Sequence, residues 1–141
     1  RMIYTPQMIV MGQQDISGSD VMGLAEAISA YQARPRPVAL ALQRQGGHLT
    51  VTVAPQGALP QGPIAIQLVR YTALETVDIT RGELAGRQID YANIVNDFQQ
   101  VAIWDGQQTT AYTVDYDGAQ PAAILVQQGL FGPVLAAAQV E

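Results

Sequence analysis

The sequence predicts a mainly β protein with a small α/β part at its amino-terminal side. Apolar residues follow a helical period clearly in one place, near residues 21–28, and alternate with a period of two along most of the remaining chain. Glycine and proline turn signals recur between the alternating segments. We therefore expect a β-β-α unit within residues 1–34 and an antiparallel β-sandwich over residues 35–141. The 141 residues are 48% hydrophobic, enough to bury a core.

Two short strands open the predicted β-β-α unit. Residues 7–11 are a short apolar run, and Gly12 suits a turn that needs positive φ before a second strand at 15–18. Either Ser19 or Asp20 is expected to cap the following helix, because a side-chain oxygen at that position accepts the free amide hydrogens of the first turn.

The predicted helix has one apolar face and a clear end. Its face follows the spacing i, i+3, i+4, i+7 and consists of Val21, Leu24, Ala25 and Ile28. Residues 34–37 read Arg-Pro-Arg-Pro, and proline both lacks an amide donor and pushes its predecessor out of the helical region. We place the domain boundary at this stretch.

Short alternating segments fill the predicted sandwich. A hairpin around Gly46-Gly47 is expected to join strands at 38–42 and 49–53. About eight short strands with regular turns favour an immunoglobulin-like β-sandwich, and a barrel is the alternative. Further strands are expected at residues 64–68, 76–80, 88–95, 100–104, 109–115, 122–128 and 134–140.

Composition excludes several partners. The net charge is -5, and all seven basic residues are scattered arginines, so nucleic acid is not an expected partner. Charged residues make up 13% of the chain, about half the usual share, and glutamine takes their place. This composition fits either a surface adapted for contact or the base composition of a GC-rich genome, and we favour the second. No apolar run reaches the ~20 residues of a membrane span, so membrane insertion is not expected.

Residues for catalysis or metal binding are few. The chain has no cysteine, which excludes thiol chemistry and disulfides in this chain as given. His48, the one histidine, lies beside the Gly-Gly turn and is expected to be exposed, and a metal site needs several ligands. Residues 115–118 predict a plain turn, and Trp104 predicts core or rim packing. We assign no catalytic residue, metal or cofactor.

Several motifs together resemble one bacterial family. In chain order they are Tyr4-Thr5-Pro6-Gln7-Met8, Arg81-Gly82-Glu83-Leu84-Ala85-Gly86-Arg87, Asn93-Ile94-Val95, Val126-Gln127 and Gly132-Pro133-Val134-Leu135-Ala136-Ala137. In this order and spacing the sequence resembles the DUF1223 family, secreted or periplasmic bacterial proteins of unknown function. Leu84 stands where the family pattern has Asn, which weakens any role for a side-chain amide in that loop.

The resemblance carries expectations about the parent protein. It implies a thioredoxin-like domain with an upstream Cys-x-x-Cys motif, followed by a β-sandwich, so that this chain is its carboxyl-terminal portion. Residues 4–31 resemble the last part of a thioredoxin-like domain, after its cis-proline loop. The resemblance also implies a periplasmic or secreted location.

Two sets of residues are candidate sites. Thr5, Pro6 and Gln7 are substrate-binding candidates, because in thioredoxin-like domains a cis-proline loop pairs with an extended peptide; an ordinary trans proline opening a strand is the alternative. The loop candidates are Gly82, Glu83, Gly86 and Arg87. They predict either a binding loop or, as we favour, a structural turn closed by a Glu83–Arg87 ion pair.

Two functions remain open from the sequence. The first is a non-catalytic extracytoplasmic interaction module with a protein or peptide partner, in which an edge strand such as residues 38–42 accepts another strand. The second is the non-reactive part of a thiol-disulfide oxidoreductase whose cysteine motif lies upstream. The oligomeric state is left open.

Overall fold

A computed structural model describes residues 5–141 of the protein. Tyr4 and the other residues before Thr5, with which the predicted first domain and first motif begin, lie outside the described residues. The elements are β1 (Gln7–Val10), β2 (Gln14–Ser17), α1 (Val21–Gln32), β3 (Val38–Gln45), β4 (His48–Pro55), β5 (Ile64–Asp78), β6 (Gln88–Trp104), β7 (Thr110–Asp115), β8 (Ala122–Gln128) and β9 (Val134–Val140). The expected mainly β fold is confirmed.

The first three elements, which we call the ββα unit, form as expected. Strands β1 and β2 pair antiparallel through a tight turn in which Met11 and Gly12 have φ of 52° and 69°. Asp20 caps α1, since its carboxylate accepts a hydrogen bond of 2.9 Å from the amide of Gly23. The helix ends at Gln32, before the Arg-Pro-Arg-Pro stretch. In the described part of the chain, no helix is long and apolar enough to cross a membrane.

The other seven strands form two antiparallel sheets around one core. One sheet has three strands in the order β3-β4-β7, and the other has four in the order β6-β5-β8-β9. Alternate side chains of each sheet point inward, as the period of two predicts. The buried core residues are Val38, Leu49, Val51, Val53, Ile64, Ile66, Leu68, Trp104, Tyr116, Ala122, Ile124 and Val126.

Two long strands replace four short ones that the sequence predicts. The separate strands expected at 64–68 and 76–80 are one strand, β5, and those expected at 88–95 and 100–104 are one strand, β6. The prediction of separate strands was wrong because neither interval contains the glycine or proline that would break it. Bulges in the β5–β6 pairing, between Ile66 and Gln67 and between Arg70 and Tyr71, absorb the irregularity instead.

The β5–β6 hairpin extends far beyond the sheet. Strand β8 pairs with β5 only from Ile64 to Arg70, whereas the β5–β6 pairing continues to Asp78 and Gln88. Residues 71–78 and 88–95 therefore form a two-stranded ribbon, which we call the ribbon, with the loop of residues 79–87 at its tip.

Candidate functional site

The candidate residues Thr5, Pro6 and Gln7 lie at the start of β1. All three are exposed, and the Thr5–Pro6 peptide bond is cis, as expected. The carbonyl oxygen of Pro6 accepts a hydrogen bond of 2.8 Å from the amide of Gly18. This bond continues the β1–β2 ladder by one step beyond the Gln7–Ser17 pair and fixes the backbone of Pro6 beside the end of β2.

Gly18 is required by the close approach of Pro6. A Cβ atom at position 18 would lie 2.7 Å from Cβ and 2.8 Å from Cγ of Pro6. Real carbon atoms do not approach so closely, so any other residue would displace the proline ring. The sequence contained no signal for this pairing beyond the glycine itself.

The ββα unit has a small core of its own. Ile16 of β2 is 7% exposed and Ala27 of α1 is 5% exposed. The predicted helix face is therefore partly wrong: Leu24 is half-buried, but Val21, Ala25 and Ile28 are exposed. Ala27 is the buried residue of α1, which contacts both β1 and β2. The helix has apolar residues at many positions, so the sequence period alone does not identify the buried side.

Large apolar side chains cover the outside of the ββα unit. Ile9 of β1 is 55% exposed and Met8 is 41% exposed, although they lie in a strand. On α1, Val21 and Met22 are each 71% exposed and Ile28 is 42% exposed. We call these five side chains together the uncovered face, although Met8 and Ile9, as neighbours in a strand, lie on opposite sides of β1.

An apolar groove separates the ββα unit from the sandwich. Its volume is about 550 Å³, and Val10, Ile28, Tyr31, Val38 and Leu135 are among its lining residues. Backbone contact across it is sparse, and one bond of 2.9 Å runs from the amide of Val134 in β9 to the carbonyl of Met11. The uncovered face and the groove share Ile28, so apolar surface continues from one into the other.

The loop of residues 79–87 is closed by its backbone. The amide of Ile79 donates to the carbonyl of Arg87 at 2.9 Å, and the amide of Gly86 donates back to the carbonyl of Ile79 at 2.7 Å. Gly82 and Gly86 have φ of 85° and 82°, which suits glycine. The whole 81–87 segment is exposed.

The expected ion pair of this loop does not form. Among residues 5–141, the structure has no salt bridge between Glu83 and Arg87. The prediction was wrong because the glycine conformations and backbone hydrogen bonds suffice to close the turn. Both charged side chains consequently point into solvent at the tip of the ribbon.

The two candidate sites are not brought together. The turn after β1 lies against Gly132 and Val134, beside the Ile64 end of β5, whereas the loop of residues 79–87 follows the opposite end of β5. A strand of 15 residues spans about 50 Å. No hydrogen bond or ion pair within the described chain links the two sites.

The comparisons with known proteins match most of the chain. The model of DUF1223, described as proteins of unknown function, matches residues 1–127. The chain belongs to the DUF1223 family. The resemblance drawn from the motifs is thus confirmed at the level of the family.

A solved structure shows the same fold as this DUF1223 chain. The crystal structure of protein AGR_C_4864 from Agrobacterium tumefaciens, a structural genomics target, superposes with a TM-score of 0.75 at 21% sequence identity. The match covers 99% of this chain and 63% of that protein, so the chain spans about 63% of its relative's length. No curated protein matches the sequence.

The remaining candidates of the DUF1223 chain have structural partners. His48 is exposed, and its Nδ1 lies 3.1 Å from a carboxylate oxygen of Asp115 across the β4–β7 pair. Trp104 is 1% exposed and its indole N–H donates to the carbonyl of Gln108 at 2.9 Å. No group of three or more histidine, aspartate or glutamate side chains able to hold a metal occurs in the described residues.

A cluster of aromatic and arginine side chains around Tyr116 was not predicted from the sequence. The guanidinium groups of Arg44 and Arg70 each lie 4.7 Å from the centre of its ring, and its hydroxyl donates to the carbonyl of Gln120 at 2.6 Å. Arg44 also donates to the carbonyl of Gly118 at 2.6 Å. The turn at residues 115–118 is therefore held by cation–π contacts and backbone hydrogen bonds.

Proposed function

We propose that this chain is a non-catalytic interaction module of an extracytoplasmic protein, and that its ββα unit binds a further stretch of polypeptide. The observation that carries the proposal is the uncovered face. Single exposed apolar residues are ordinary on protein surfaces, but five large ones on two short elements expose more apolar surface than such elements usually do, which is typical of an interaction site.

The free edge of β1 determines the kind of partner. In the described chain, β1 pairs only with β2, so its other edge offers unpaired backbone groups beside Met8 and Ile9. An extended polypeptide that adds to this edge satisfies those groups and covers both side chains at once. A small polar ligand would leave the apolar surface in water.

The family resemblance supports a specific parent architecture. We propose that residues 1–34 are the end of a thioredoxin-like domain and residues 35–141 an immunoglobulin-like sandwich, in a secreted or periplasmic protein. The order β1, β2, α1 after Thr5–Pro6 supports the first part. The greater length of the A. tumefaciens protein, of which this chain covers 63%, supports a further segment in such relatives.

Photo-crosslinking in the source bacterium tests the interaction. A photo-crosslinking amino acid replaces Ile9 in one variant and Thr109, which is exposed in the sandwich, in a matched control. We expect irradiation to crosslink position 9 to an extended polypeptide segment and to leave position 109 uncrosslinked. A product heavier than the parent protein means a separate partner, and a product of parent mass means a segment of the same polypeptide; both support the proposal. No crosslink from position 9 would overturn it.

A second candidate is the non-reactive part of a thiol-disulfide oxidoreductase. The exposure of Thr5, Pro6 and Gln7 along an unpaired strand edge favours it, because an extended peptide substrate can bond there. This chain has no cysteine, so the reactive thiolate would belong to a further segment. Intact mass spectrometry of the protein from its native source, before and after reduction and alkylation, tests it: two alkylated cysteines support this role, and none refutes it.

A further inference from the structure

The apolar groove between the ββα unit and the sandwich lies where the two sheets meet. One wall comes from the ββα unit, with Val10, Ile28 and Tyr31, and the other comes from β3 and β9, with residues 38–40 and 135–137. Strands β3 and β9 are edge strands of the two sheets and contact each other, so the groove follows the seam between the sheets. Ligand sites often occur at such a junction between two structural units.

The size of the groove fits a small organic molecule rather than a folded partner. Its volume is about 550 Å³, within the ~300–1,000 Å³ of typical small-molecule sites. At about 30 Å³ for each non-hydrogen atom, the groove holds roughly 18 such atoms. An unbranched chain of that size follows the seam between β3 and β9.

The walls of the groove still have apolar surface to cover. Val10, Leu40 and Leu135 are half-buried, and Ile28 is 42% exposed. An apolar chain that lies against these side chains removes their remaining surface from water, and this removal favours binding. The walls therefore select a ligand with an apolar body.

The charge at the groove comes from arginine. Arg36 lines the groove, and the guanidinium carbon of Arg34 lies 4.1 Å from the ring centre of Tyr31, another lining residue. Neither arginine makes a salt bridge in the described part of the chain, and no aspartate or glutamate of that part lines the groove. The other polar side chains that line it, those of Tyr31, Gln32 and Gln56, are neutral. The groove is therefore locally positive in a chain whose net charge is -5.

We propose that this groove binds a long-chain carboxylate, a free fatty acid. The alkyl chain lies between α1 and the two edge strands, and the carboxylate lies at the rim beside Arg36. A guanidinium group can donate two parallel hydrogen bonds to the two oxygens of a carboxylate. The methylene stem of Arg36 packs along the apolar wall while its charged group stays in water, as arginine side chains commonly do.

This site goes beyond the proposed function, which concerns polypeptide binding at the uncovered face. Of the five side chains of that face, only Ile28 also lines the groove. Crosslinking from position 9 tests the uncovered face, whereas binding of a free acid tests the groove. Either result can therefore fail without the other.

Isothermal titration calorimetry of the folded chain with dodecanoate tests the proposal. Dodecanoate has about 14 non-hydrogen atoms, which the groove accommodates, and it is used below its micelle concentration. We expect a one-to-one complex whose affinity falls by up to about fourfold for each methylene removed, as in decanoate and octanoate. Dodecyltrimethylammonium, which has the same chain and a positive head group, is the control for charge and should not bind.

Two pairs of variants locate the bound acid. Ala39→Phe fills the groove and should abolish binding, whereas Ala41→Phe, on the same face of β3 but outside the groove, should leave it unchanged. Arg36→Gln should weaken binding about fivefold, whereas Arg81→Gln, in the exposed loop at the tip of the ribbon, should have no effect. Unchanged Trp104 fluorescence in each variant shows that the sandwich remains folded.

The calorimetric results decide the proposal. Binding of dodecanoate that Ala39→Phe removes and Arg36→Gln weakens supports the site. Three results contradict it: a dissociation constant above about 1 mM for the folded wild-type chain, equal binding of dodecyltrimethylammonium, or an affinity that neither variant changes.

Discussion

Replacing Ile16 by alanine should unfold the ββα unit well before the sandwich. Ile16 is 7% exposed and, with Ala27, forms the buried apolar core of that unit in the described structure. Truncating a buried isoleucine to alanine removes about 2–5 kcal/mol from the free energy of unfolding. Domains are usually stable by only ~5–15 kcal/mol, so a unit this small would lose a large fraction of its stability.

Ile9 is the matched control, since it has the same side chain on the neighbouring strand. It is 55% exposed, so its burial contributes a little under half of the ~1.5–3 kcal/mol that complete burial of such a side chain adds to the free energy of unfolding. We therefore expect Ile9→Ala to lower the free energy of unfolding by about 1 kcal/mol in the isolated chain. The difference between the two variants comes from burial alone.

Two spectroscopic probes separate the two parts of the molecule. Far-ultraviolet circular dichroism reports α1, the one helix of the described residues, and fluorescence reports Trp104, the one tryptophan, in the sandwich core. In urea titrations, Ile16→Ala should shift the helical transition to lower urea and leave the Trp104 transition nearly unchanged. Equal shifts of both transitions, or equal effects of the two variants, would refute the assignment of a separate small core.

Three further predictions follow from single contacts. Tyr116→Phe should lower the free energy of unfolding by about 1–2 kcal/mol in urea titrations, because it leaves a partly buried carbonyl without its donor; no change would mean that water replaces the hydroxyl. Burial, and then the charge of Asp105, raise the pKa of Tyr112 above 10.0, so at high pH the folded state keeps a proton that the unfolded state loses. The free energy of unfolding should therefore fall as the pH rises above 10.0. Asp105→Asn should lower the pKa of Tyr112 in an ultraviolet tyrosinate titration, and an unchanged pKa would contradict this. Gly18→Ala should speed amide exchange of the ββα unit by displacing Pro6, and unchanged exchange would show that the ring has room to move.

Local signals in the sequence predicted much of the fold. Alternation with a period of two located most strands of the sandwich. The two candidate caps, Ser19 and Asp20, and the Arg-Pro-Arg-Pro stretch located the ends of α1, and the structure selects Asp20 as the cap. These signals act within a few residues, so they can be read without the fold. The lengths of β5 and β6 could not be predicted, because pairing between distant segments sets how far a strand continues.

The site was less predictable than the fold. The helix is apolar around much of its circumference, so only its packing on β1 and β2 selects Ala27 as the buried position. The contacts of Arg44 and Arg70 with Tyr116 join three segments that are far apart in sequence, and no local pattern marks them. In the sequence, exposed apolar residues such as Phe98 cannot be distinguished from core residues, because their exposure depends on how distant segments pack.

Hydrogen exchange of the ββα unit tests the central claim most directly. The 141-residue chain is compared with the protein purified under native conditions from its source, by mass spectrometry of peptides that cover β1 and α1. The account predicts that both peptides exchange more slowly in the native preparation, because a further stretch of polypeptide covers the uncovered face, whereas β4 of the sandwich exchanges equally in both. Equal exchange of β1 and α1 in the two preparations would contradict it.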